Sequence, residues 1–186
     1  NQHSKNIIRS RLFIYYNERA IEGTIEIDAG ASLIDGMRVV SRMGCPNESL
    51  WWYNTVKFKQ KPNQSVYNDG LKHKVQSYLG LNNASLSELK TCLALGYPFV
   101  FGSAVFSGIE TASAARTGII PLPKRGEEAL GGHALMCVGY NDATKYFTIR
   151  NSWNKTWGDS GYGYMPYEYL TNLDLSQDFW TIRKVN

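Results

Sequence analysis

Three kinds of residue in this sequence could take part in nucleophilic chemistry. They are the three cysteines (Cys45, Cys92 and Cys137), a histidine set in a glycine-led apolar run (His133), and an asparagine that opens an aromatic tract (Asn151). A thiolate beside an imidazolium attacks a carbonyl carbon. A carboxamide oxygen that accepts from one ring N–H fixes the tautomer and leaves the other ring nitrogen to move protons. His133 and Asn151 flank the turn sequence Asn141-Asp142-Ala143-Thr144. Strands closing on that turn put Tyr140 opposite Lys145 and, followed back, His133 opposite Asn151 or its neighbour. Opposed residues of an antiparallel pair hold their Cβ atoms about 5 Å apart, within reach of a hydrogen bond between imidazole and carboxamide. On their own, a histidine and an asparagine so placed also describe a buried histidine satisfied by any nearby amide.

The cysteines suit the nucleophile's part poorly. Cys137 follows His133 by four residues on one strand, about 13 Å away at ~3.3 Å per residue, too far for direct proton transfer. Cys92 lies between Leu89 and Leu93 on an apolar helix face, and Cys45 in a Gly-Cys-Pro turn; both read as packing residues. Other chemistries fit less well. No Gly-x-Ser-x-Gly elbow is present. His3, His73 and His133 are scattered without a Cys-x-x-Cys pair, so neither a metal nor a cofactor is expected.

The elements that must position His133 and Asn151 are partly readable. Arg11 to Tyr16 is apolar and aromatic, fitting a strand or a short buried helix. Leu33, Ile34, Met37 and Val40 follow Ser32 at helical spacing and predict a helix ending at Gly44. Asn54 to Gly70 is polar and reads as a connection. Ser85-Leu86-Ser87-Glu88 has the capping-box pattern, with Gly96 at the stop. The stretches 97–105, 133–140, 145–151 and 179–185 read as strands, and Gly118 to Gly132 as a loop. Helices come first and strands second, which suggests an α+β protein with an antiparallel sheet or barrel in its second half. The boundary is expected near residue 60, giving parts 1–60 and 61–186.

Composition excludes several classes. The 186 residues suit one domain or two small ones, and 20 Lys+Arg against 16 Asp+Glu leave only +4, without the basic stripe of a nucleic-acid binder. No run approaches the ~18 apolar residues of a membrane span, so no membrane partner is expected. An odd, sparse set of three cysteines is no disulfide framework. Four Asn-x-Ser/Thr patterns, at Asn47, Asn63, Asn83 and Asn154, would be used only on a secretory route. Secreted, lysosome-like and virion-associated settings all stay open. Aromatics are concentrated in Trp51-Trp52-Tyr53 and in the tract from Trp153 to Tyr164.

Gly131-Gly132-His133-Ala134-Leu135-Met136-Cys137-Val138-Gly139-Tyr140 and Asn151-Ser152-Trp153, followed by Trp157-Gly158 and Gly161-Tyr162-Gly163-Tyr164, resemble the His and Asn segments of papain-like cysteine peptidases. Residues 28–54 match that family more weakly, and Leu12 to Glu22 resembles a microbial and viral subgroup. The resemblance implies a papain-like fold, with a helix-rich half packed against a β-rich half and a cleft between them. It makes His133 the general base and acid, and Asn151 its orienting partner. Trp153 would shield their hydrogen bond from water, with Trp157 packed against it. Ala134 would line the pocket for the substrate side chain two positions before the scissile bond, and Gly30 would offer backbone hydrogen bonds to an extended peptide. The partner implied is a peptide or protein substrate, together with a propeptide or a separate N-terminal chain.

One departure is large. The family's cysteine stands roughly 130 to 150 residues before the histidine, which counts back to His3 or earlier, where there is none. Gln2 lacks the context of the family's oxyanion-hole glutamine, and the chain starts at Asn1 without a methionine. This leaves two expectations. Either the thiol belongs to a leading segment or separate chain of a peptidase, or the fold is a non-catalytic module that binds peptide or serves assembly.

Overall fold

The computed structural model describes residues 7–185; the readings made at Asn1, Gln2 and His3 lie outside the described residues. The chain divides into two compact units, one running up to Tyr78 and taking in the end of the chain from Arg183, the other Leu79–Ile182. That division falls after the boundary expected near residue 60, because the polar stretch read as a connection contains a helix belonging to the first unit.

The first unit is built on helices. α1 (Arg11–Glu22) starts at Ser10, whose hydroxyl accepts from the Phe13 N–H at 3.2 Å, and stops at Gly23 in the left-handed region at φ 73°. Leu12, Phe13 and Tyr16 form its buried face, so the helical alternative for Arg11 to Tyr16 is the one realised. α2 (Leu33–Arg42) follows Ser32 as expected. α3 (Gln64–Gly70) is capped by Asn63, whose carboxamide oxygen accepts from the Val66 N–H at 3.2 Å. Phe13, Val39 and Val66 form a small core, with Tyr67 edge-on to Phe13 at 5.0 Å.

The remaining elements are β1 (Val75–Gly80), α4 (Leu86–Ala94), β2 (Phe99–Val105), α5 (Ala112–Thr117), β3 (Gly131–Asn141), β4 (Tyr146–Arg150), β5 (Tyr162–Pro166), α6 (Tyr167–Thr171) and β6 (Ser176–Val185). The six strands form one sheet in the order β1-β6-β2-β3-β4-β5, with the β6-β2, β2-β3, β3-β4 and β4-β5 pairs antiparallel. The expected α+β class is what is found. In the predicted capping box, Ser85 accepts from the Glu88 N–H as the pattern requires, but the Glu88 carboxylate accepts from Asn82 instead of turning back on Ser85.

The core of the second unit joins Phe99, Phe101, Phe147, Ile149, Met165 and Phe179, all buried. Phe101 stacks on Phe179 at 5.1 Å, and Phe147 meets Tyr167 at 4.7 Å. Burying each such ring stabilises the fold by about 2 kcal/mol. This sheet carries His133 on β3, and its β4 ends one residue before Asn151.

Candidate active site

The β3-β4 hairpin does not close as the turn sequence predicts. Its first pairs are Asn141 with Tyr146 and Tyr140 with Phe147, so Lys145 belongs to the turn, at φ 61°. The Asn141 side chain explains this, since its oxygen accepts from the Ala143 and Thr144 N–H groups and draws the loop around it. The register then slips by one beside Val138, giving Cys137 opposite Ile149 and Met136 opposite Arg150. His133 is thus paired with Ser103 of β2, and Asn151 lies just beyond the end of β4. The two residues are not opposed, yet their side chains meet: His133 Nε2 stands 2.9 Å from Asn151 Oδ1.

That oxygen settles the protonation pattern of the neutral ring. The Ser152 backbone N–H points at the same Asn151 atom, at 2.8 Å. A backbone N–H can only donate, so the atom it meets is the carboxamide oxygen, and an oxygen can only accept from His133 Nε2. The proton therefore sits on Nε2, and Nδ1 carries the free lone pair. This second anchor on the oxygen could not be read from residue spacing. Asn151 is buried, and among the described residues its Nδ2 has no hydrogen-bond partner.

The tract after Asn151 folds over this pair. The Asn151 N–H donates to Gly161 O at 3.0 Å, tying the start of the tract to the approach to β5. The Trp153 ring stacks on His133 at 5.5 Å with 30° between planes, and Trp157 meets Trp153 edge-on at 5.4 Å. Trp157 is buried, whereas Trp153 keeps 39% of its surface exposed. The motif's glycines make room. A Cβ at Gly158, which has φ 59°, would lie 2.3 Å from Tyr162 O, and one at Gly163 would lie 2.9 Å from the Trp157 ring.

Ala134 occupies an exposed position on β3 opposite Gly102. Gly30 belongs to the first unit, where its φ of 75° is left-handed and its N–H donates to the Tyr15 hydroxyl at 3.2 Å. That N–H is therefore engaged. Tyr15 was not singled out in the sequence; an aromatic on a helix gives no sign that its hydroxyl reaches a loop ahead.

All three cysteines are buried, and none forms a disulfide among the described residues. Cys45 Sγ points at Ser10 O, Cys92 Sγ at Tyr97 O and Cys137 Sγ at Gly139 O. Burial pushes the Cys45 thiol up to about 11, and pushes Cys137 up as well. Such thiols stay protonated and are inert. Among the described residues no three His, Cys, Asp or Glu side chains gather as a metal site would require, and no helix is long and apolar enough to cross a membrane.

The family model described as papain family cysteine protease matches residues 29–179. This chain belongs to that family. Xylellain, a cysteine protease from Xylella fastidiosa, is 39% identical to this papain-family chain, with a TM-score of 0.91 over 98% of the chain and 72% of its own. A peptidase C1-like protein of Acanthamoeba polyphaga mimivirus is 37% identical over 99% of the chain, and the match spans 62% of that relative's length. Peptidase 1 of Psoroptes ovis is 29% identical over 73% of the chain, spanning 41% of that relative. The ragweed pollen allergen Amb a 11, a cysteine protease solved in its proform, shares the papain-like fold at 17% identity and TM-score 0.71.

Proposed function

We propose that this chain supplies the histidine and asparagine of a cysteine peptidase working by a Cys-His-Asn mechanism, with the thiol on polypeptide outside these 186 residues, upstream or on a separate chain. The observation that carries the reading is the His133 Nε2 to Asn151 Oδ1 hydrogen bond of 2.9 Å, on an oxygen also held by Ser152 N–H. It leaves Nδ1 free to take the thiol proton. The resulting thiolate attacks the peptide carbonyl carbon. The imidazolium then returns its proton to the leaving amine as the C–N bond breaks and a thioester remains. Water, deprotonated by the same ring, hydrolyses the thioester and regenerates the thiol. Trp153, stacked on the imidazole, excludes water from one side of the hydrogen bond, which strengthens it in a lower dielectric. Ala134 lines the subsite for the side chain two positions before the scissile bond. Gly30 offers its carbonyl to an extended peptide backbone, and a propeptide would bind the same groups.

The burial of all three thiols favours a second reading, a papain-like module that binds peptide without cleaving it. Peptide hydrolysis by protein that includes the thiol-bearing segment separates the two. His133→Ala abolishes turnover on the first reading, and Asn151→Ala lowers it less. Undiminished turnover in His133→Ala overturns the mechanism, and the absence of any turnover in the unsubstituted protein favours the module.

A further inference from the structure

One face of α1 is spent on holding the loop that precedes α2. Tyr15, Arg19 and Glu22 stand three and four residues apart and point at successive parts of residues 24–32. Arg19, fully buried, donates from Nη1 to Ile25 O at 2.7 Å and Ile27 O at 3.3 Å, and from Nη2 to Phe58 O. Its guanidinium lies over the Tyr15 ring at 4.1 Å and the Phe58 ring at 4.9 Å. The Tyr15 hydroxyl donates to Asp28 and accepts from Gly30 N–H. At the far end, Glu22 accepts from Ser32 N–H at 2.8 Å, and the Ser32 hydroxyl is shared between Glu22 and Asp35.

The loop has little else to fix it. Residues 26–31 are exposed; among the described residues the Ile27 N–H to Thr24 O turn bond is the backbone hydrogen bond that ties this stretch to itself, and Glu26 pairs with Lys59 at 3.3 Å on the surface. A loop without a hydrophobic anchor takes its conformation from such polar tethers. Gly30 hangs on one of them. The hydroxyl that receives its N–H holds the peptide plane that enters the left-handed turn at Gly30, from which its carbonyl emerges.

We infer that Tyr15, itself gripped by Arg19, is a positioning residue that orients the Gly30 carbonyl for an extended peptide substrate, so that it governs the binding of long substrates without touching them. This rests on the peptidase reading above and adds to it a residue outside the motif. Tyr15→Phe removes one oxygen and keeps the ring beneath Arg19, so the helix keeps its packing.

Two measurements test it. In hydrogen exchange on this chain, Tyr15→Phe speeds exchange at the Gly30 amide about fivefold or more, relative to the amides of α1. In protein that includes the thiol-bearing segment, Tyr15→Phe raises KM for a peptide spanning the second position before the scissile bond about fivefold more than it raises KM for a single-residue ester, while kcat for the two falls alike. Equal changes in KM for both substrates, or a Gly30 amide exchanging as before, overturn the positioning role while His133→Ala stays inactive. An active His133→Ala removes the peptidase reading, and this inference with it.

Discussion

The two units hold their candidate functional groups by different means. In the second, the sheet does the holding: His133 is fixed by pairing with β2, and Asn151 by its place at the end of β4 and its N–H bond to Gly161 O. In the first, side chains hold the loop, with the buried Arg19 reaching three carbonyls. Many small backbone bonds share the task in one case, and a single cation carries much of it in the other. The loop of the first unit should therefore be sensitive to individual side chains, and the sheet of the second to the lengths of its turns.

Arg19→Leu is the most severe way to test that contrast. It strands the carbonyls of Ile25, Ile27 and Phe58 without a donor, so unfolding free energy should fall by about 3 kcal/mol or more in urea titration. A loss below about 1 kcal/mol would show that the loop has other anchors.

Glu18, on the same helix, sharpens the contrast through pH. Burial first, then the charges of Glu22 and Asp35, push its carboxyl from 4.5 up to about 7, against the pull of Arg19. The folded chain keeps a proton there that the unfolded chain has lost, so stability falls as pH rises from about 4.5 through about 7 and then levels off. Glu18→Gln should flatten that slope and raise stability at pH 8 by on the order of 2 kcal/mol, read from melting or urea curves across pH. An unchanged slope would place the titration elsewhere.

Within the second unit the effects fall on rate. Asn151→Ala should reduce turnover about tenfold to a hundredfold, because His133 loses the acceptor that fixes its tautomer but keeps its strand. Trp153→Ala should cost less, about threefold, since the hydrogen bond survives but faces water on one side. A reversed order of these two would mean that shielding matters more than orientation.

Legibility in the sequence divides along the same line. The strands 133–140 and 145–151 carried apolar runs bounded by turn residues, and their motif named the His-Asn pair. The pair's register was not legible, because the Asn141 side chain adds Lys145 to the turn and a slip beside Val138 offsets the pairs beyond it. α3 was hidden because only Val66 and Gly70 of its residues are buried, leaving a polar run with no stripe to see. β5, held between β4 and the Gly118 backbone, is Tyr- and Gly-rich and was absorbed into the motif without being recognised as a strand. Arg19 looked like an ordinary charged residue near a helix end; nothing local announces that its guanidinium will donate to carbonyls six, eight and 39 residues further along the chain.

The central claim is that His133 serves a thiol which is none of Cys45, Cys92 and Cys137. Labelling with an epoxide-type thiol inhibitor, followed by mass mapping of the modified peptide, tests it in protein that includes the thiol-bearing segment. The account predicts one modified cysteine outside these 186 residues, and loss of that modification in His133→Ala. Modification of Cys45, Cys92 or Cys137 in the folded protein, or no modification at all, would contradict it.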